Sequence, residues 1–591
     1  MNTKNTIRFF SLVLIGILLY SCHNDEDFIE NMESKTKEKE STYSFGEKII
    51  LGKQLENPFS VENMKRAYAE MQKSKSFSLS KKSNLKISTT HHYVKFILKD
   101  SLDLRKIEAD TTLIAYDYPL DYEILQMGDY YHDPEVPKDR PTYHYASVEV
   151  GQALPRGVDH EILSDLYIPD PEDIGEDVAD FLEDIALELT DNLEDEAVST
   201  TNRRSKWRPA GTIKVWDDVI GTTRTRVFSH WEYYDCDEDG NNVVQRENPP
   251  RIFEECRRAV YVYVDTPGSY IPMQGVKVRA RRWFTTHTGI TNAQGYFSCD
   301  GRFRRPANYK IKWKRHNFSI WWSWLSSAKY NGPKKKGNWN LNIRGGHQGY
   351  YATIFRAAHL YYYGNIYGLH RPPERTFFGG RLIINAKKLN DISSYSHERS
   401  IVFGADILLK KWGEPTGIVF GTTIHELAHA AHRRMDKAAY AKLKWDGYTS
   451  PWLSLGETWQ NPGPTGRNAK RLMETWATTV EHYLVRRHYH EVYGATGYTY
   501  IQEFFQRRTI AQNNFYTSCG IDMLDDINQR LDIFPLNPNR PFDRVEGYTI
   551  NQLENAMRGA CTWHQWRDNL RNTYDNDTEE FLNELFANWT N

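Results

Sequence analysis

Apolar and polar positions change their period several times along the chain. Positions 9–20 form a short apolar run behind Lys4 and Arg8 and ahead of Cys22, which is too short to span a bilayer and is built like an export signal over 1–21. Residues 22–58 are polar, rich in Lys, Glu and Ser and without periodicity, as expected of a tether. From residue 59 the pattern is that of a folded domain. Ser60 in front of apolar residues at helical spacing predicts a capped helix over 61–74. Val94, Phe96 and Leu98 alternate and predict a strand over 91–99. A helix near 102–109 and strands near 112–118 and 143–150 complete a small α+β domain ending near 200. Within it, 170–196 holds 13 acidic residues and neither Lys nor Arg, with Val178, Leu182, Ile185, Leu189 and Leu193 at helical spacing. That is an acidic amphipathic helix packed on one side. Calcium is disfavoured there, because the close-set oxygen ligands with a glycine turn are missing.

After the basic linker Arg203–Arg204 the period shortens to two. Alternating runs at 211–216, 260–264, 276–280 and 309–313, with a turn signal at 292–297, predict a β-sandwich over 201–345. Arg302, Arg304, Arg305, Lys310, Lys312, Lys314, Arg315 and 334–336 make it basic. The expected reading is the solvated side of strands and a loop; a face for anionic glycans or an acidic substrate is the alternative. Trp321, Trp322 and Trp324 are expected in a core or domain interface rather than as a sugar-stacking platform. Residues 346–591 return to helical periods, with a helix at 350–367, strands at 381–385 and 400–409, and an Ala-rich helical run from 424 to 436 free of Gly and Pro. Toward the end, Trp563, Trp566 and Leu570 share a face, and Asp577 with Glu580 has capping-box spacing. The fold class is therefore multidomain α+β, with the last domain mostly α around a small sheet.

Composition changes this picture little. A chain of 591 residues exceeds one core, and 40% hydrophobic with 14% aromatic residues can fill several. A net charge of −2 gives no reason to expect nucleic acid as a partner. Setting Cys22 aside, Cys236 with Cys256 and Cys519 with Cys561 are possible disulfides, leaving Cys299, and no CxxC pair suggests a zinc knuckle.

The chemistry sits in His425-Glu426-Leu427-Ala428-His429. On a helix the two imidazoles lie one turn apart on one face and can share a metal, while Glu426 is placed to take a proton from water. This His-Glu-x-x-His helix, with a strand expected just before it, resembles the zincin peptidases. His432 and Met435 stand where the metzincin branch has its glycine and third histidine, which excludes that branch. Gluzincins take a glutamate from a downstream helix. Glu457 is a candidate, but Pro462, Gly463 and Pro464 follow it closely and break a helix. Glu474 stands in an unbroken helical run and is the expected third ligand. It follows His429 by 45 residues and begins Glu-Thr-Trp-Ala, similar to the anthrax lethal factor group of gluzincins. Where the gluzincin pattern often has an acid four residues after that ligand, this chain has Thr478; Glu481 is the substitute and the reserve ligand.

The resemblance implies one Zn2+ ion on His425, His429 and Glu474, with Glu426 as general base toward a peptide or protein substrate. Tyr448, His482 and Tyr483 are candidate transition-state donors. Residues 19–22, Leu-Tyr-Ser-Cys, resemble a bacterial lipobox, which implies lipidation of Cys22, and the acidic run 24–27 resembles the surface-export tag of Bacteroidota lipoproteins. Segments 93–96 and 118–123 resemble an N-terminal region of such lipoproteins, and 275–278, 289–292 and 295–297 resemble transthyretin-like modules, usually spacers or binding accessories. The expectation is a monomeric, outer-membrane-anchored metallopeptidase facing the cell surface, or alternatively the periplasm, with glycan contact by the sandwich as an added possibility. The rival is a non-catalytic surface binding lipoprotein that carries the metal motif as a relic.

Overall fold

The structure, a computed structural model, describes residues 48–73, 85–193, 205–236, 254–323, 325–375, 380–387, 394–395, 406–453, 462–495, 508–510, 515–533 and 537–589, without the side chains of 222–228, 230–266, 394–395 and 452–453. The export signal, Cys22, residues 23–47 of the expected tether, Arg203, Arg204, Trp324 and Glu457 lie outside the described residues. Residues 48–58 are not tether: Ile50–Gln54 pairs antiparallel with Tyr122–Gln126, and Ile49 is drawn into the core of the N-terminal domain. The architecture is multidomain α+β, with several small sheets and many helices.

In the N-terminal region, helix Val61–Lys73 starts at Ser60, whose Oγ accepts from the Asn63 amide at 3.2 Å. Strand His91–Ile97 is the centre of an antiparallel sheet between His144–Glu149 and Asp159–Leu166. Helix Ser101–Ala109 is capped by Asp100, which accepts from Leu102 and Asp103 amides. The strand expected at 112–118 is reduced to a single bridge between Tyr116 and Tyr145, because Asp117 turns into a lysine cluster. The acidic stretch breaks at Gly175, whose φ of 87° ends helix Pro171–Ile174 before helix Glu176–Leu189 begins. That helix stops before Leu193, which is exposed.

The middle region has two four-stranded sheets. One joins Ala210–Cys236 to Tyr296–Ser298, Leu341–Ile343 and Glu254–Pro272; the other runs Lys329–Lys335, Ala307–Lys312, Lys277–Arg282, Thr285–Ile290. Ile213, Val215 and Phe297 of the first share a core with Val278, Ala280, Tyr309 and Ile311 of the second.

The basic face of this sandwich is not solvated as expected. Alternation puts Lys310 and Lys312 opposite the core residues, but they are only 2% and 5% exposed because the N-terminal domain covers them. Lys310 Nζ donates to Asp117 Oδ1 at 3.1 Å and Lys312 Nζ to Glu108 Oε1 at 2.9 Å. Lys329 and Lys314 take the second oxygen of each carboxylate. Arg304 and Arg305 likewise hold Asp184 of the acidic helix at 2.7 and 2.9 Å. Burial alone would raise both clamped carboxyls, yet the paired lysines hold Asp117 and Glu108 below the ordinary carboxylate range. Their stabilisation is therefore present above the unfolded pKa, about 4, and is lost as pH falls below it. The unfolding midpoint should drop through that window, and Glu108→Gln should flatten the drop. Identical pH profiles for parent and variant would contradict the clamp.

Trp321 is buried among Val94, Phe96, Ile107 and Ile383, a core shared by the N-terminal domain and the last sheet. Trp322 is half-buried, its ring 5.7 Å from that of Tyr130. The last sheet runs Ser326–Ser327, Phe318–Ser323, Leu382–Ala386, Ile407–Leu409, Ser394–Tyr395. Its three middle strands are parallel and Ser394–Tyr395 is an antiparallel edge. Strand Phe318–Ser323 thus comes from within the bounds 201–345 expected for the sandwich but pairs with the last domain. Helix Gly346–Tyr363 packs on helix Thr416–Met435. The capping box expected at Asp577 does not form: Glu579–Phe581 is a 3₁₀ turn without a side-chain cap, and the box is made by Thr549 and Gln552 instead. Cys519 and Cys561 are free, so that disulfide is absent. Among the described residues no helix is long and apolar enough to cross a membrane.

Candidate metal centre

Helix Thr416–Met435 carries the His-Glu-x-x-His stretch, and every residue from Thr423 to His432 is buried. Local sequence explains the helix but not its start, because Pro415 precedes it and has no side-chain cap to offer. The cap comes from the sandwich. Both carboxylate oxygens of Asp218 accept from the Thr416 amide at 3.1 Å, and the Asp218 amide donates to Thr416 Oγ1 at 3.1 Å. A carboxylate at this end also complements the helix dipole. Next to it Asp217, fully buried, accepts from Thr416 Oγ1 at 3.1 Å, Arg356 Nη1 at 2.6 Å and Tyr489 Oη at 2.9 Å.

One turn apart, the His425 and His429 rings stand 4.9 Å from each other. Glu474 comes from a second helix, Pro464–Arg486, opened by Pro464 in its first turn. Its Oε2 is 3.3 Å from His425 Nε2 and 3.4 Å from His429 Nε2. One ligand atom from each residue lies within 4.8 Å of the others, and all three residues are buried. His429 Nε2 nevertheless makes no hydrogen bond, and neither does its Nδ1. A buried imidazole nitrogen aimed at a carboxylate without bonding it is suited to a cation between them. The group His425, His429 and Glu474 can hold a metal ion.

Three neighbours brace it. Glu481 Oε2 sits 3.2 Å from His425 Nδ1, on the ring nitrogen turned away from Glu474. It therefore orients His425 and does not occupy a ligand position, the role left open for it beside Thr478. Tyr448, in the π-helical turn Trp445–Thr449, donates to Glu474 Oε1 and leaves Oε2 to the histidines. The Tyr516 ring lies 6.0 Å from the His425 ring. Burial pushes the His425 pKa down, but Glu474 and Glu481 overcome it and raise it to about 10. Burial would raise Glu474, and His429 and His425 hold it well below its ordinary value.

Of the other candidates, Tyr483 packs on Tyr367 and lies under the Arg487 guanidinium, away from this constellation. His482 follows Glu481 and so points about 100° around the helix from it; burial, then Arg486 and Arg487, push its pKa down to about 3. His432 is buried with its ring 5.1 Å from Tyr440, and burial followed by His429 pushes it to about 3.

Gly421 is a part of the site that the motif does not announce. It lies one turn before His425, in a helix interior where Gly costs about 1 kcal/mol relative to Ala. A Cβ there would collide with Glu481 Oε1. Gly421→Ala should therefore displace Glu481 and weaken metal binding about 10–100-fold, despite the better helix former. Unchanged affinity in a metal titration would reject this steric account. Comparison with protein families, with curated proteins and with solved structures gives no match.

Proposed function

We propose that this chain is a gluzincin-type zinc metallopeptidase, anchored in the cell envelope through Cys22. The observation that carries the proposal is the meeting of His425, His429 and Glu474 from two helices with Glu426 buried beside them. Two imidazoles and a carboxylate are a donor set suited to catalytic zinc, with a position left for water. When bound, the ion acts as a Lewis acid that brings the pKa of water toward ~7.

The remaining steps belong to the chain. Glu426, the next residue after His425, takes the proton of the attacking water and passes it to the leaving amine. Glu481 fixes the His425 ring, and Tyr448 fixes the Glu474 carboxylate. Burial keeps bulk water from competing for these contacts. The edge strand Ser394–Tyr395, which packs beside the Thr416–Met435 helix, offers an extended peptide a backbone to pair with.

The test is metal content by mass spectrometry on the purified mature chain and on Glu474→Ala. One zinc per parent chain and far less in the variant is the expected result. A parent that takes up no metal even on reconstitution would favour the non-catalytic surface binding protein. Undiminished zinc in the variant would move the third ligand to Glu481 or Glu457.

A further inference from the structure

Between the N-terminal domain and the sandwich lies a cavity of about 520 Å³. Its size is that of a small-molecule site, ~300–1,000 Å³, and domain interfaces are where such sites gather. It involves none of the metal-centre residues.

Its wall includes Arg281, which is 4% exposed. The Arg281 Nη1 donates to the Trp283 carbonyl at 2.9 Å and the Leu120 carbonyl at 3.4 Å, and the guanidinium lies 4.9 Å from the Tyr116 ring centre. Among the described residues no carboxylate forms an ion pair with it. Buried charges are ordinarily paired, so this one is an excess positive charge held against a cavity. Arg282, 7% exposed, lines the same cavity, with the Glu183 carboxylate 4.0 Å from its Nε. Lys53 and Lys334 add charge at the rim, so that four basic side chains line the cavity against Glu123 and Asp191.

A second observation is independent of charge. Among the described residues three non-glycine residues have positive φ, and two of them, Asp191 at 56° and Trp283 at 48°, line this cavity. A bulky residue in the left-handed region is strained, and such conformations gather at ligand sites. Trp283 occupies the turn between strands Lys277–Arg282 and Thr285–Ile290, where Gly or Asn would be relaxed. Trp283 is half-buried, its ring 6.4 Å from that of Phe59 and 6.3 Å from that of Phe284, and both Trp283 and Tyr122 line the cavity.

We propose that this cavity binds an anionic saccharide, with a carboxylate or sulfate group toward Arg281 and Arg282 and a sugar-ring face on Trp283. The two guanidinium groups match a planar or tetrahedral oxyanion. The aromatic walls and the volume exceed what a bare ion needs. This also identifies the sandwich together with the N-terminal domain as a joint recognition unit, because each supplies one wall.

The test is calorimetric titration of the full chain with oligogalacturonate, beside a neutral maltooligosaccharide and sodium sulfate. Oligogalacturonate is expected to bind, more weakly as salt rises, and the neutral sugar is not. Lys53→Glu with Lys334→Glu, both at exposed positions, should weaken binding at least about tenfold. Trp283→Gly, which accepts the positive φ without strain, should weaken it similarly with the circular dichroism spectrum unchanged. No binding of oligogalacturonate, equal binding of the neutral sugar, sulfate binding as tightly as the oligosaccharide, or rim-charge variants that bind like the parent would each overturn the proposal. Glu426→Gln should bind oligogalacturonate like the parent, whatever becomes of the metallopeptidase reading.

Discussion

Glu426→Gln is expected to cut peptide hydrolysis by about 10²–10⁴-fold, the usual contribution of a positioned general base, while metal content stays at the parent level. Glutamine keeps the shape and volume of the side chain, which matters because Glu426 is 1% exposed within a packed helix. It is not among the three residues whose donor atoms converge, so its charge is not needed to hold the ion. What it loses is the capacity to accept a proton. His425→Ala supplies the contrast, since it removes a ligand and also strands Glu481, and it should lose metal and hydrolysis together. Metal analysis and a peptide-library assay on the same samples separate the two effects. A Glu426→Gln variant that hydrolyses at the parent rate would remove Glu426 from the mechanism; one that loses its metal would make it a ligand.

The reach of the sequence follows the range of the interactions. His425 and His429 were legible because their relation is one helical turn, a local property that tertiary packing does not alter. Glu474 was legible for a similar reason: an unbroken helix carries it, and the breakers after Glu457 do not interrupt it. Glu481 was narrowed to two roles, and the choice between them rests on how closely two helices approach at Gly421, which no single-helix pattern encodes. Non-local relations were hidden. Alternation at Lys310 and Lys312 separates two faces of a strand but is silent on what covers the polar one, and here Asp117 and Glu108 do. Parallel pairing of Phe318–Ser323 with Leu382–Ala386 joins segments too far apart for a turn signal to announce. The cap of the metal-site helix was invisible because a local rule examines Pro415, whereas Asp218 stands 198 residues before Thr416.

Asp217→Ala is expected to destabilise the fold by about 3–5 kcal/mol, the cost of breaking a buried ion pair from one side. The substitution leaves the Arg356 guanidinium buried without its carboxylate and deprives the Tyr489 hydroxyl of an acceptor, while the Thr416 hydroxyl keeps only Asp218. Burial alone would raise this carboxyl, yet Arg356 holds it below its ordinary value. Its stabilisation is therefore present above the ordinary carboxylate range and lost as pH falls, and the variant should show a shallower acid limb in urea unfolding. A second consequence separates this residue from an ordinary buried pair. Arg356 belongs to helix Gly346–Tyr363, Thr416 begins the His425 helix, and Tyr489 lies in the π-helical continuation of the Glu474 helix. One carboxylate thus ties together both helices that supply the metal group. Thr416 is nine residues before His425, about 13 Å along the helix at ~1.5 Å per residue, so no direct contact with the ion is involved. The variant should nevertheless bind metal more weakly even under conditions where it remains folded, because the separation of the two ligand-bearing helices is no longer fixed. Asp218→Asn, which keeps an oxygen for the Thr416 amide, should do so to a smaller extent. Reduced stability with undiminished metal affinity in the folded Asp217→Ala variant would mean that helix packing alone sets the register of the site. Reduced affinity in both variants, graded in that order, would make the sandwich a working part of the metal centre.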